Sequence, residues 1–203
     1  MVKLMVKIKI CGLRRDVDVE FVNEAMPDYI GFVFAKSKRQ VTKEQAVRLK
    51  KHLDPKIKAV GVFVDEKEEV IAQIAREGII DVIQLHGRED EGYIRRLKTM
   101  IKIPLIKAFQ AQNIASSQMT GFDTEYYLLD SGKGSGKTFD WKVVPEMNRP
   151  WFLAGGLSED NIEEAIRQLH PYGVDFSSGV ETNGYKDQDK IINIVRRIRN
   201  VKR

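Results

Sequence analysis

The chain has 203 residues, 42% hydrophobic and 31% charged, with a formal net charge of +5, enough for one substantial core or one closed α/β barrel. It has no apolar run of membrane-span length, and Lys3, Lys7 and Lys9 interrupt any secretory leader. Cys11 is the single cysteine, which excludes an internal disulfide and a Cys/His metal cluster and points to a reducing, cytoplasmic compartment.

Short β-branched runs alternate with charged stretches of helical period. Strands are expected over 4–10, 29–34, 59–64, 82–85, 105–109, 126–129, 151–154 and 174–176. Helices are expected between them over 17–25, 43–50, 66–76, 90–98, 159–168 and 187–201. A weak further helix falls in 110–125, and a short one around 141–147 follows the glycine-rich "DSGKGSGKTFD". The basic "RRIRNVKR" follows Ile191, Val195 and Ile198, which share a helix face, so it reads as the solvated side of a final amphipathic helix. It lacks the interleaved aromatics of a single-strand-binding surface, and no nucleic-acid partner is implied.

Repeated strand–helix units imply parallel strands with crossover helices. Eight units close most simply into one (β/α)8 barrel spanning 1–203, with an open doubly wound sheet as the alternative. Function in such barrels sits at the C-terminal strand ends. Those ends read Cys11-Gly12, "AKSKRQ", Asp65, "QLHG", Gln110, Asp130-Ser131-Gly132, "AGGLSEDN" and "SSGVE". The last two are small-residue turns at the strands where barrels build phosphate sites, and Ser158 is a candidate N-cap for the following helix. A Walker-type loop is excluded, because the glycine required five residues before Gly136 is Ser131. Cys11 and Asp130, ending strands one and six across the barrel, form a candidate acid–base pair over a phosphate-anchored substrate. His86 reads either as a partner of Cys11 or as a loop hydrogen-bonding residue. Regular alternation puts Lys9 and Lys7 on the face of Cys11, where Lys9 would favour the thiolate.

The ordered set "KICG", "GFVF" then "SKR", "VGVFV", "QLHG", "LLDS", a glycine-rich stretch ending "FDW", "LAGGL" and "DFSSGVE" closely resembles the phosphoribosylanthranilate isomerase family, from Lys9 to Glu181. The resemblance implies a (β/α)8 enzyme of tryptophan biosynthesis. It implies a cofactor-free Amadori rearrangement of N-(5-phosphoribosyl)anthranilate to 1-(2-carboxyphenylamino)-1-deoxyribulose 5-phosphate. It further implies Cys11 as general base, Asp130 as general acid and Arg39 on the anthranilate carboxylate. The phosphate would be held at Gly155, Gly156, Ser178 and Gly179. Arg14 stands where the family usually has a polar residue such as threonine, and "KGSGKT" departs from the usual glycine-rich loop. A histidine-pathway sugar isomerase would carry an aspartate in place of Cys11, and a non-catalytic barrel would not need Cys11, Asp130 and Arg39 together. The partner implied is a phosphorylated sugar–anthranilate; assembly as a monomer or homodimer stays open.

Overall fold

The computed structural model describes residues 5–111, 119, 121–131, 144 and 147–201. Of the expected helix in 110–125, residues 112–118 and 120 fall outside them and the described 121–125 are not helical; the glycine-rich stretch beyond Ser131 and most of 141–147 also fall outside. Eight parallel strands close in sequence order: β1 (Lys7–Cys11), β2 (Tyr29–Val33), β3 (Lys58–Phe63), β4 (Val82–Leu85), β5 (Leu105–Gln110), β6 (Tyr126–Asp130), β7 (Trp151–Ala154) and β8 (Gly173–Phe176). β1 pairs with β2 on one side and β8 on the other, so the strand facing it is β5. β6 is therefore three places round from β1 rather than directly opposite.

Described helices cover the sheet: α1 (Asp16–Ala25), α2 (Lys43–His52), α3 (Glu68–Arg76), α4 (Glu91–Met100), α5 (Ile162–Leu169) and α6 (Gln188–Asn200). Side-chain caps start three of them. Thr42 accepts from the amide of Gln45, Asp90 from that of Tyr93 and Asp187 from that of Lys190. On α6, Ile191, Ile194, Val195 and Ile198 are buried. Its basic face is partly used, since Arg197 pairs with Glu163 and Arg199 with Asp28. Among the described residues no helix is long and apolar enough to cross a membrane.

Two apolar layers follow from strand alternation. The outward side chains of the strands pack on the helices. Inside the barrel, Val60, Val82, Ile106, Leu128 and Phe152 close its lower half, with Tyr29, Tyr126 and Tyr172 edge-on or tilted around Phe152 and one another. Lys7 lies at this lower end and bonds Asp28 at 2.8 Å. The interior turns polar above that plug, where Lys9, Gln84 and Asp175 are buried.

Two local features differ from the sequence expectation. α5 begins at Ile162 rather than 159, and Ser158 is not its cap. The Asn161 side chain is used instead to tie the preceding turn, its Nδ2 donating to the carbonyl of Gly156 at 2.8 Å and its Oδ1 accepting from the amide of Ser158 at 3.0 Å. The second is a hairpin between β8 and α6, β9 (Glu181–Thr182) and β10 (Tyr185–Lys186). Its turn residues Asn183 and Gly184 both have positive φ, 54° and 78°, the conformation an Asn-Gly pair favours in a two-residue hairpin.

Candidate active site

A cavity of about 460 Å³ opens at the C-terminal end of the barrel and is lined by Cys11, Arg39, His86, Asp130, Gly155, Gly156, Ser178 and Gly179, among others. The seven residues that the resemblance implies for the site, Cys11, Arg39, Asp130, Gly155, Gly156, Ser178 and Gly179, thus border one space, with His86 beside them. Their surroundings explain how each is placed.

Cys11 is the last residue of β1, inside the strand and not beyond it, because it pairs with Gly31 of β2. A Cβ at Gly31 would stand 2.6 Å from the Cys11 sulfur, so the missing side chain makes the room the thiol occupies. Gly12, at φ 89°, plays the same part for Arg39, whose Cδ fills the place of the absent Cβ.

Beneath the thiol, Lys9 is fully buried and bonds Asp175 at 2.7 Å, the two facing each other in register across β1 and β8. Burial opposes the charge on Lys9, yet the Asp175 carboxylate and the adjacent Cys11 raise its pKa overall. For Asp175 burial wins over Lys9 and pushes the carboxyl up. Burial likewise dominates at Cys11 and raises the thiol. Lys9 pulls it down, Asp175 pushes it further up, and Lys186 pulls it down again. Lys9 thus acts on the thiol in the expected direction, but burial outweighs it and Asp175 opposes it, so the thiol is raised overall.

Asp130 ends β6. His86 Nε2 lies 3.4 Å from its Oδ2, so the histidine sides with Asp130 rather than with Cys11. The other ring nitrogen, Nδ1, is 2.9 Å from the Gln84 amide nitrogen. With that amide donating, Nδ1 accepts and the ring proton sits on Nε2, toward the carboxylate. Gly155, at φ 84°, leaves room for the carboxylate, since a Cβ there would come 2.5 Å from Asp130 Oδ1.

Arg39 has a partner that the sequence reading did not foresee. Its Nε and Nη2 donate to the two carboxylate oxygens of Glu181, both at 2.7 Å. Glu181 also accepts from Lys186 at 2.7 Å, and these cations hold its carboxyl down at about 2 despite burial. The glycine turns after β7 and β8 touch each other: a Cβ on Gly179 would collide with the carbonyl oxygen of Leu157. Gly156 has φ 61°, and a 3₁₀ turn at Ser178–Val180 follows β8. Small residues here let backbone amides approach an anion.

Asp175, Gln84, Glu181 and Lys186 were missed as site residues. Asp175 had a usable signal: a carboxylate at an alternate position of an apolar strand, next in a closed barrel to a strand with an inward lysine. The Asn-Gly pair after Glu181 likewise announced the hairpin that carries Lys186.

Residues 8–197 match the family model described as N-(5'phosphoribosyl)anthranilate (PRA) isomerase. An N-(5'-phosphoribosyl)anthranilate isomerase of Endomicrobium trichonymphae is 52% identical over 97% of this chain and all of its own. The crystal structure of a phosphoribosyl anthranilate isomerase from Thermus thermophilus superposes with a TM-score of 0.86 at 30% identity, covering 97% of this chain and 100% of that one. A second phosphoribosyl anthranilate isomerase was crystallised with reduced 1-(o-carboxyphenylamino)-1-deoxyribulose 5-phosphate. It is 34% identical, with a TM-score of 0.77, over 95% of this chain and 97% of that one.

Proposed function

The chain belongs to the N-(5'-phosphoribosyl)anthranilate isomerase family, and from that premise we propose that Cys11 and Asp130 are its general base and general acid. The enzyme isomerises N-(5'-phosphoribosyl)anthranilate to 1-(2-carboxyphenylamino)-1-deoxyribulose 5-phosphate in tryptophan biosynthesis. The observation that carries the assignment is that the thiol and the carboxyl border one cavity that also holds an arginine and two small-residue turns.

The substrate has an anion at each end. Its phosphate fits the turns at Gly155, Gly156, Ser178 and Gly179, and its anthranilate carboxylate fits Arg39. Asp130 gives a proton to the furanose ring oxygen. The C1–O bond breaks as the anilino nitrogen lone pair forms the C=N bond, leaving a cationic Schiff base. Cys11, as thiolate, removes the proton from C2. The C2–H electron pair neutralises the iminium and gives an enolamine, which tautomerises to the ketone.

Burial raises the Cys11 thiol and favours its protonated form. A Schiff-base cation above it adds to the pull of Lys9 and Lys186 and favours ionisation when the base is needed. The rising limb of the pH–rate profile accordingly belongs to the thiol. A lone thiol base works only where it stays reduced, which suits the cytoplasm.

Asp130→Asn tests the acid. The amide keeps the shape and cannot supply the carboxylic proton, so kcat should fall about 10²- to 10⁴-fold with binding of the reduced product analogue retained. Near-normal turnover in that variant would remove Asp130 from the chemistry.

A further inference from the structure

The Arg39 guanidinium meets its buried partner before any substrate arrives. Glu181 occupies the Nε/Nη2 edge with two 2.7 Å bonds. Among the described residues Nη1 makes no hydrogen bond, so the Nη1/Nη2 edge is left for a second carboxylate. An arginine neutralised by a glutamate is a poor anion receptor. Lys186 corrects this: it is 1% exposed, and its Nζ bonds Glu181 Oε1 at 2.7 Å and the carbonyl of Ser177 at 2.9 Å. The three charges sum to +1.

The pair is built to be rigid. Glu181 and Lys186 face each other in the two-strand hairpin. Arg15 donates to the carbonyl of Lys186 at 2.9 Å and Arg14 to that of Gly184 at 3.0 Å. Both guanidinium groups lie over the Tyr185 ring, 4.6 and 4.7 Å from its centre. Arg14, the residue that departs from the family pattern, is thus one of the two that bolt the hairpin to the loop carrying Gly12. Lys190 holds the other end by bonding the carbonyl of Glu181 at 2.9 Å.

We propose that Glu181 and Lys186 are a positioning pair for Arg39: Glu181 sets the plane of the guanidinium, and Lys186 restores the positive charge that Glu181 cancels. The inference rests on the reading that Arg39 binds the substrate carboxylate. Misplacing a binding group by about 1 Å costs up to about 10²-fold.

The test is steady-state kinetics on Arg39→Met, Glu181→Gln, Glu181→Asp, Lys186→Met and the Arg39→Met/Glu181→Gln double variant, each checked for native circular dichroism. Glu181→Gln and Glu181→Asp should each raise KM about 10-fold or more, with a much smaller change in kcat. The double variant should be no worse than Arg39→Met, because Glu181 acts only through the arginine. Lys186→Met should raise KM and also move the rising limb of the pH profile upward, since Lys186 lowers the Cys11 thiol. If Arg39→Met leaves KM unchanged, the assignment of Arg39 itself fails. If Arg39→Met raises KM while the folded Glu181 variants do not, or if the double variant is additive, the positioning role is overturned and Arg39 stands.

Discussion

Gly31 offers a clean way to disturb the thiol without touching it. It pairs with Cys11 across β1 and β2, and an alanine Cβ there would stand 2.6 Å from the sulfur, 3.1 Å from Cα and 3.3 Å from Cβ of Cys11. Optimal separations are about 3.5–4.0 Å, so the sulfur must retreat by about 1 Å or turn to another rotamer. The backbone cannot give easily, because the amides of Gly12 and Leu13 both bond the Gly31 carbonyl, at 2.8 and 3.2 Å. Gly31 is not among the positive-φ residues, so alanine brings crowding without backbone strain. Overpacking of this kind costs about 1–3 kcal/mol of stability. A displacement of about 1 Å at a reacting atom costs about 10² in rate, close to 2.7 kcal/mol of barrier. Turnover and thermal unfolding of Gly31→Ala should be measured beside Gly78→Ala. That glycine has φ 71° and open space around it, so its variant loses stability without approaching the site. Gly31→Ala should lose about 10² in kcat while Gly78→Ala keeps wild-type turnover. A folded Gly31→Ala protein with undiminished kcat would refute the view that the thiol's position governs the rate.

Two further changes probe the charges and the anion site. Lys9→Met leaves Asp175 buried without its cation, at a cost of about 3–5 kcal/mol, reduced to the extent that this carboxyl, already pushed up by burial, takes a proton. The thiol loses the cation that lowers it, so the rising limb of the pH–rate profile should move to higher pH; an unmoved limb would show that Lys9 does not tune Cys11. Gly156→Val places a branched residue at φ 61° beside the glycine turn and should weaken competitive inhibition by inorganic phosphate about 10-fold or more. An anion found elsewhere in a phosphate-soaked crystal would reject that site.

The strands and helices were legible because their periods are short-range properties of the chain. Val82–Leu85 and Trp151–Ala154 have the expected bounds. Element bounds shifted where a side chain bonds the backbone of a neighbouring turn. Asn161 delays α5 by tying back to Gly156, and no local propensity announces that. Cys11, Asp130, Arg39 and the two glycine turns came from strand ends and motif resemblance, and all line one cavity. What stayed hidden was pairing between residues far apart in sequence. Lys9 could be read as inward but not as bound to Asp175, which is 166 residues away. Arg39 could be read as a carboxylate ligand but not as already holding Glu181. The ionisation of Cys11 depends on the balance of burial against Lys9, Asp175 and Lys186, a sum that requires coordinates.

In the proposed mechanism Cys11 removes the C2 proton. Cys11→Ser keeps the size and hydrogen bonding of the side chain but offers a far weaker base. Its turnover of N-(5'-phosphoribosyl)anthranilate should be measured together with its affinity for the reduced product analogue. In that variant kcat should fall about 10²- to 10⁴-fold while the analogue binds nearly as tightly as to wild type; turnover close to the wild-type rate would mean that another group is the base.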